Sequence, residues 1–108
     1  MEEKPYASAY DASQHVLYVT GSVDEIAGAV FREDLVKHTE QHTKPLTVDL
    51  SGVEFFPSLA VGVLAIAMRQ SLEADAEIEV RAREGGIAAR VLTICALPYT
   101  ELPATDRA

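Results

Sequence analysis

The sequence predicts an α/β domain in which a mixed β-sheet carries its helices mainly on one face. Three observations support this. Segments of strand-like alternation interleave with segments of helical spacing in the order β-β-α-β-α-β-α-β, and short polar or Gly/Pro connections separate them. The third is length, because 108 residues supply one hydrophobic core and not two. Hydrophobic residues make up 48% of the chain and charged residues 24%, which suits a globular domain and not a disordered acidic chain. One domain over residues 1–108 is expected, with 103–108 as a flexible tail.

Tyr6 to Tyr10 alternates aromatic with small residues and reads as a strand, and Asp11-Ala12-Ser13-Gln14 supplies its turn. His15 to Thr20 is a β-branched and aromatic run ended by Gly21, so the two segments form a hairpin. Asp24 can cap the following helix, since its carboxylate accepts from free first-turn N–H groups. Ile26, Ala27, Val30, Phe31 and Leu35 then lay an apolar stripe along a helix reaching His38 or Glu40. Leu46-Thr47-Val48-Asp49-Leu50 alternates with period two and is the clearest strand, closed by Ser51-Gly52.

Ser58 to Leu72 is apolar on nearly every side, so this central helix should be largely buried or covered by a partner. Ile78 to Val80 gives another strand. Gly85-Gly86 precedes a helix built on Ile87, Val91, Leu92 and Ile94, which Pro98 is expected to end. Tyr99 to Leu102 completes the pattern as a short last strand.

Nine basic against seventeen acidic residues give a net charge of −8, which opposes binding to nucleic-acid phosphates or an anionic membrane surface. No basic patch offsets it: Arg81 and Arg83, the closest pair, lie beside Glu79 and Glu84. The lone Cys95 excludes an intramolecular disulfide, and Met1-Glu2-Glu3-Lys4-Pro5 lacks a secretory profile, so the cytoplasm is the expected compartment. Phe55 to Met68, the longest weakly polar run, contains Pro57 and is too short to span a membrane.

The stretch from Val48 to Leu64, VDLSGVEFFPSLAVGVL, resembles the centre of the STAS domain family, which includes bacterial anti-sigma factor antagonists. In that family a strand ending D-L-S-x-V leads through an aromatic turn to D-S-[ST]-G-L-G-V-L at a helix start. Gly21-Ser22-Val23-Asp24 is similar to the family's G-x-[LV]-D before its first helix, and Ala96-Leu97 with the preceding helix to its closing element. The resemblance implies a STAS-like fold and a non-enzymatic regulator that binds an anti-sigma factor or serine kinase. It implies that Ser58 is the phosphorylated serine, and it points to Asp24, Phe56, Pro57, Ser58, Leu59 and Ala60 as partner-binding residues.

Three positions depart from the family loop: Pro57 replaces Asp, Leu59 replaces Ser or Thr, and Ala60 replaces Gly. Pro57 removes a carboxylate beside the hydroxyl and restricts the turn. Ser58 therefore also reads as a plain N-cap, and Asp24 as a cap alone. Two other functions stay open: a phosphorylation-independent STAS scaffold subunit of a larger assembly, such as a lipid-transport or stress-sensing complex, and a small-ligand or nucleotide-binding STAS module. Homodimerisation through the small-residue helix or an edge strand fits any of the three.

Other chemistry finds little support. His38 and His42 stand four apart and would share one helix face, but no third ligand accompanies them, so no metal is expected. G-x-S-x-G is absent around Ser58, which argues against a hydrolase, and no cofactor is implied. Gly85-Gly86 lacks the Lys-Ser/Thr of a phosphate loop. Cys95, in an apolar helical stretch, is expected to be a buried small hydrophobe.

Overall fold

Alternation along the central strand sets the architecture. In the computed structural model, residues 4–104 are described. Residues 105–108 of the expected tail lie outside them. The elements follow as β1 (Ala7–Asp11), β2 (Val16–Ser22), α1 (Glu25–His38), β3 (Leu46–Phe55), α2 (Ser58–Glu73), β4 (Ile78–Arg83), α3 (Ile87–Ile94) and β5 (Thr100–Leu102). This is the predicted order. The sheet runs β1-β2-β3-β4-β5, with β1 antiparallel to β2 and the other neighbours parallel.

The register puts Leu17, Val48 and Val80 in one row across the sheet and Tyr18, Asp49 and Arg81 in the next. Successive strand residues point to opposite faces, so the first row faces the helices and the second faces away. Phe31 and Leu35 of α1, Ala60 and Leu64 of α2, and Ala88 and Leu92 of α3 join the first row in a single buried cluster. Each fully buried Leu or Phe contributes about 1.5–3 kcal/mol. All three helices thus lie on one face, as expected. On the other face Arg81 Nη2 donates to Asp49 Oδ2 at 3.1 Å, and the Ser51 N–H donates to Asp49 Oδ1 at 2.9 Å.

Several expectations need correcting. Ser51-Gly52 does not close β3, which continues to Phe55. Gly52 is instead required within the strand, because a Cβ there would stand 2.7 Å from Thr20 Cγ2. Pro98 does not end α3 either: Ala96 takes a left-handed φ of 60° and the Leu97 N–H bonds the Leu92 carbonyl at 3.0 Å, a closure that stops the helix earlier. Cys95 occupies the C-cap of α3 and is exposed, not buried. His38 and His42 do not share a helix face, because α1 stops at His38 and His42 lies in a left-handed loop with φ 68°.

The helical stripes also settle differently. In α1 the buried residues are Ala27, Gly28, Phe31 and Leu35, while Ile26 is 82% exposed and Val30 faces solvent. In α2 the small residues turn inward: Ala60, Leu64, Ala67 and Ser71 are buried, and Leu59, Ile66 and Leu72 are left outside. A helix carrying small residues on its inner side can lie close to its neighbours, and the displaced aliphatic side chains then form its outer surface. Ile87 and Ile94 of α3 are likewise exposed.

The segment entering β1 is clasped to α1. Tyr6 Oη donates to Asp34 Oδ2 at 2.6 Å and Ser8 Oγ donates to the same oxygen at 2.9 Å. The Tyr10 ring stacks on His38 with centroids 4.1 Å apart. Burial, and then the bond to Asp34, push the Tyr6 phenol well above its ordinary range. Behind it Gly21, at φ 82°, lets the chain pass Pro5, whose carbonyl oxygen would stand 2.1 Å from any Cβ.

Two outcomes follow. Gly21→Ala should lose about 2 kcal/mol or more in urea unfolding, from left-handed strain and the backbone clash together; an unchanged midpoint would refute the close-approach argument. The folded chain holds the Tyr6 proton more tightly than the unfolded chain, so this contribution is complete below pH about 10 and is lost as pH rises further. Stability should therefore fall more steeply above that pH in the parent than in Tyr6→Phe, and parallel curves would count against the clasp.

Candidate functional site

The end of β3 and the start of α2 form a junction whose exposures alternate sharply. Phe55, the last strand residue, is 40% exposed, whereas Phe56 turns inward to 3%. Its ring meets Phe31 edge-on at 6.1 Å. Pro57 follows as the N-cap of α2 in extended conformation, with φ −76° and ψ 175°. Its fixed φ suits that geometry, and it leaves α2 without a side-chain cap.

Ser58 is consequently the first residue of the helix and not its N-cap, which corrects the plain capping reading. It is exposed, and its hydroxyl makes no hydrogen bond that would cap the helix. Leu59 is 49% exposed and lies over Gly28 of α1, with its Cδ2 3.5 Å from where a Cβ at Gly28 would stand. Ala60 is fully buried.

Asp24 stands at the same end of the molecule, because Ser22 of β2 pairs in parallel with Phe55 of β3. The Val23 N–H also bonds the Phe55 carbonyl at 2.9 Å, tying the two loops together. Asp24 caps α1 as predicted: its Oδ1 accepts from the Ala27 N–H at 2.9 Å. Its side chain is exposed as well, so capping leaves it reachable from solvent.

Of the six residues expected to bind a partner, the structure thus brings Asp24, Pro57, Ser58 and Leu59 to one accessible end. Phe56 and Ala60 belong to the core, where they hold the loop without being able to touch another molecule.

A groove of about 510 Å³ runs from this end between α1 and α2. Ser58 and Leu59 lie at its front, Val36, Val63 and Ile66 form much of its wall, and His42 and Gln70 stand at its rear. His42 Nδ1 is 3.3 Å from Ser71 Oγ of α2. Arg32 also lines the groove, and no carboxylate does. Sequence reasoning missed Arg32 and Gly28. Their spacing of four marks one face of α1, but nothing in the chain says that α2 packs against that face.

No group of three or more His, Cys, Asp or Glu suited to a metal ion occurs among the described residues. His38 is engaged with Tyr10, and burial pushes its imidazole down. No helix among them is long and apolar enough to cross a membrane.

An α/β domain with one helical layer and an exposed serine opening its second helix has the form of a STAS domain. Residues 8–95 match the family described as "Mlab, STAS domain", and the chain belongs to that family. A crystal structure of an anti-sigma factor antagonist from Mycobacterium paratuberculosis shares the fold, with a TM-score of 0.70 at 20% identity over 89% of this chain and 86% of that one. No curated protein matches the sequence.

The Asp24 cap gives a direct check of the site's framework. Asp24→Ala should cost about 1 kcal/mol in urea unfolding and Asp24→Asn much less; equal losses from both would show that the carboxylate charge, and not the cap bond, matters.

Proposed function

We propose that this chain is a protein-binding regulator of the anti-sigma factor antagonist type, acting by docking and not by catalysis. Its docking surface is the accessible end formed by Asp24, Pro57, Ser58 and Leu59, framed by the buried Phe56 and Ala60. The partner is an anti-sigma factor that is also a serine kinase, and phosphorylation of Ser58 breaks the complex.

The observation that carries this reading is the juxtaposition at the start of α2 of an exposed, uncapping serine hydroxyl and an exposed leucine. An aliphatic side chain at the centre of a contact gives affinity by desolvation. A phosphate one residue away adds roughly −1.5 to −2 charge, which must be desolvated or repelled when the partner approaches. Family membership and the shared fold of an antagonist structure support the reading.

The experiment compares the unmodified protein, Ser58→Ala and protein carrying phosphoserine at position 58 for binding to the anti-sigma factor recovered from the same cells. Calorimetry should give matching affinities for the first two and at least a tenfold loss for the third, which corresponds to about 1.4 kcal/mol. Equal affinity for all three would refute the switch. It would favour a constitutive scaffold subunit, a reading to which the aliphatic residue in the loop also lends weight.

A further inference from the structure

We infer that Arg32 is the internal partner of a phosphate on Ser58, so that modification closes the front of the α1–α2 groove instead of only adding charge to the surface. This rests on the reading of Ser58 as a phosphoacceptor and specifies what the phosphate does within the chain itself.

The two helices run side by side in the same direction. Gly28 lies against Leu59 at the front, and His42 approaches Ser71 at the rear. Arg32 is one turn beyond Gly28 on the same face of α1, about 6 Å further along the axis. Helical side chains lean back toward their own N-terminus, so the long Arg32 stem inclines toward the level of Leu59 and Ser58. Gly28 carries no side chain of its own and Leu59 packs over it, so the Arg32 stem reaches toward Ser58 across Leu59. Arg32 and Ser58 accordingly line one groove.

The electrostatics favour the same pairing. Among the described residues the ion pairs are Lys4 with Glu54 and Arg81 with Asp49, and Arg32 belongs to neither. It has a cation's full bonding capacity free, in a groove without carboxylates, on a chain of net charge −8. A guanidinium presents a planar fork that matches two phosphate oxygens, and a phosphoserine offers three acceptors.

Bridging the two positions would draw both side chains over Leu59, which sits between Ser58 and α1. The aliphatic element of the docking surface is then masked as the charge arrives. A partner would meet a covered leucine together with a phosphate whose charge is only partly offset by the guanidinium.

Phosphoserine encoded at position 58 of the full chain provides the test, read by 31P NMR during a pH titration of the parent, R32Q and R32K. In the parent the second ionisation should lie about one unit below its ordinary value near 6. R32Q should return it most of the way, leaving only what the helix terminus contributes, and R32K should fall between. Coincident titrations of parent and R32Q would overturn the inference.

Thermal unfolding of the unphosphorylated R32Q should match the parent, since Arg32 has no ion-pair partner there, so a lost shift reports on the phosphate and not on the fold. Should R32Q be poorly folded, the parent against R32K decides, and coincidence again overturns the pairing. The two readings fail separately. A shifted titration with unchanged partner affinity removes the switch and keeps the pairing; an ordinary titration with affinity still lost does the reverse.

Discussion

The burial of one aromatic ring determines the shape of the end at which β3 passes into α2. Phe56 is almost fully enclosed and contacts Phe31, which in turn meets Tyr6 edge-on at 6.4 Å. Edge-to-face pairs of this kind add about 0.5–1.5 kcal/mol each beyond the area they bury. The three rings join the segment entering β1, the middle of α1 and the β3–α2 junction. With Phe56 turned inward, strand alternation sends Phe55 outward, and the helix that begins after Pro57 sends Ser58 and Leu59 outward before Ala60 returns to the core. Three exposures follow from one burial.

The neighbouring helices begin in different electrical states. At α1 the Asp24 carboxylate already accepts from the Ala27 N–H, and Glu25 adds an acidic residue to the first turn. At α2 proline offers no acceptor and the first turn holds no acidic residue. The positive end of the helix dipole is therefore compensated in the first and open in the second. The aspartate missing from the family's loop has this consequence: Pro57 presets the turn through its ring and leaves the dipole to Ser58.

Much of the fold was legible because its signals are periodic. The alternation from Leu46 to Leu50, the cap at Asp24 and the apolar run from Ser58 each appear where they were read, and the element order follows from them. What escaped has physical causes. A helix apolar on nearly all sides gives no unique phase, so the inward turn of Ala60, Ala67 and Ser71 could not be told from that of Leu59 and Ile66. Gly52 looks like a strand terminator until Thr20 is seen beside it. Cys95 is the exposed C-cap of a helix closed by a left-handed Ala96, a conformation that alanine does not advertise. At the site, Ser58 and Asp24 were visible through local chemistry, whereas Arg32 gains meaning only from the contact between α1 and α2.

The strand order in space repeats the strand order along the chain. Each strand after the first is added to the edge left by its predecessor, so a partner for it exists as soon as it is made. No strand has to be inserted between two that are already paired. By the time Glu73 has been made, β2, α1, β3 and α2 are all present, and with them Asp24, Ser58 and the groove between the helices. The remaining elements finish the opposite edge of the sheet. Along the chain, the residues of the proposed docking surface all precede the two strands that complete the sheet.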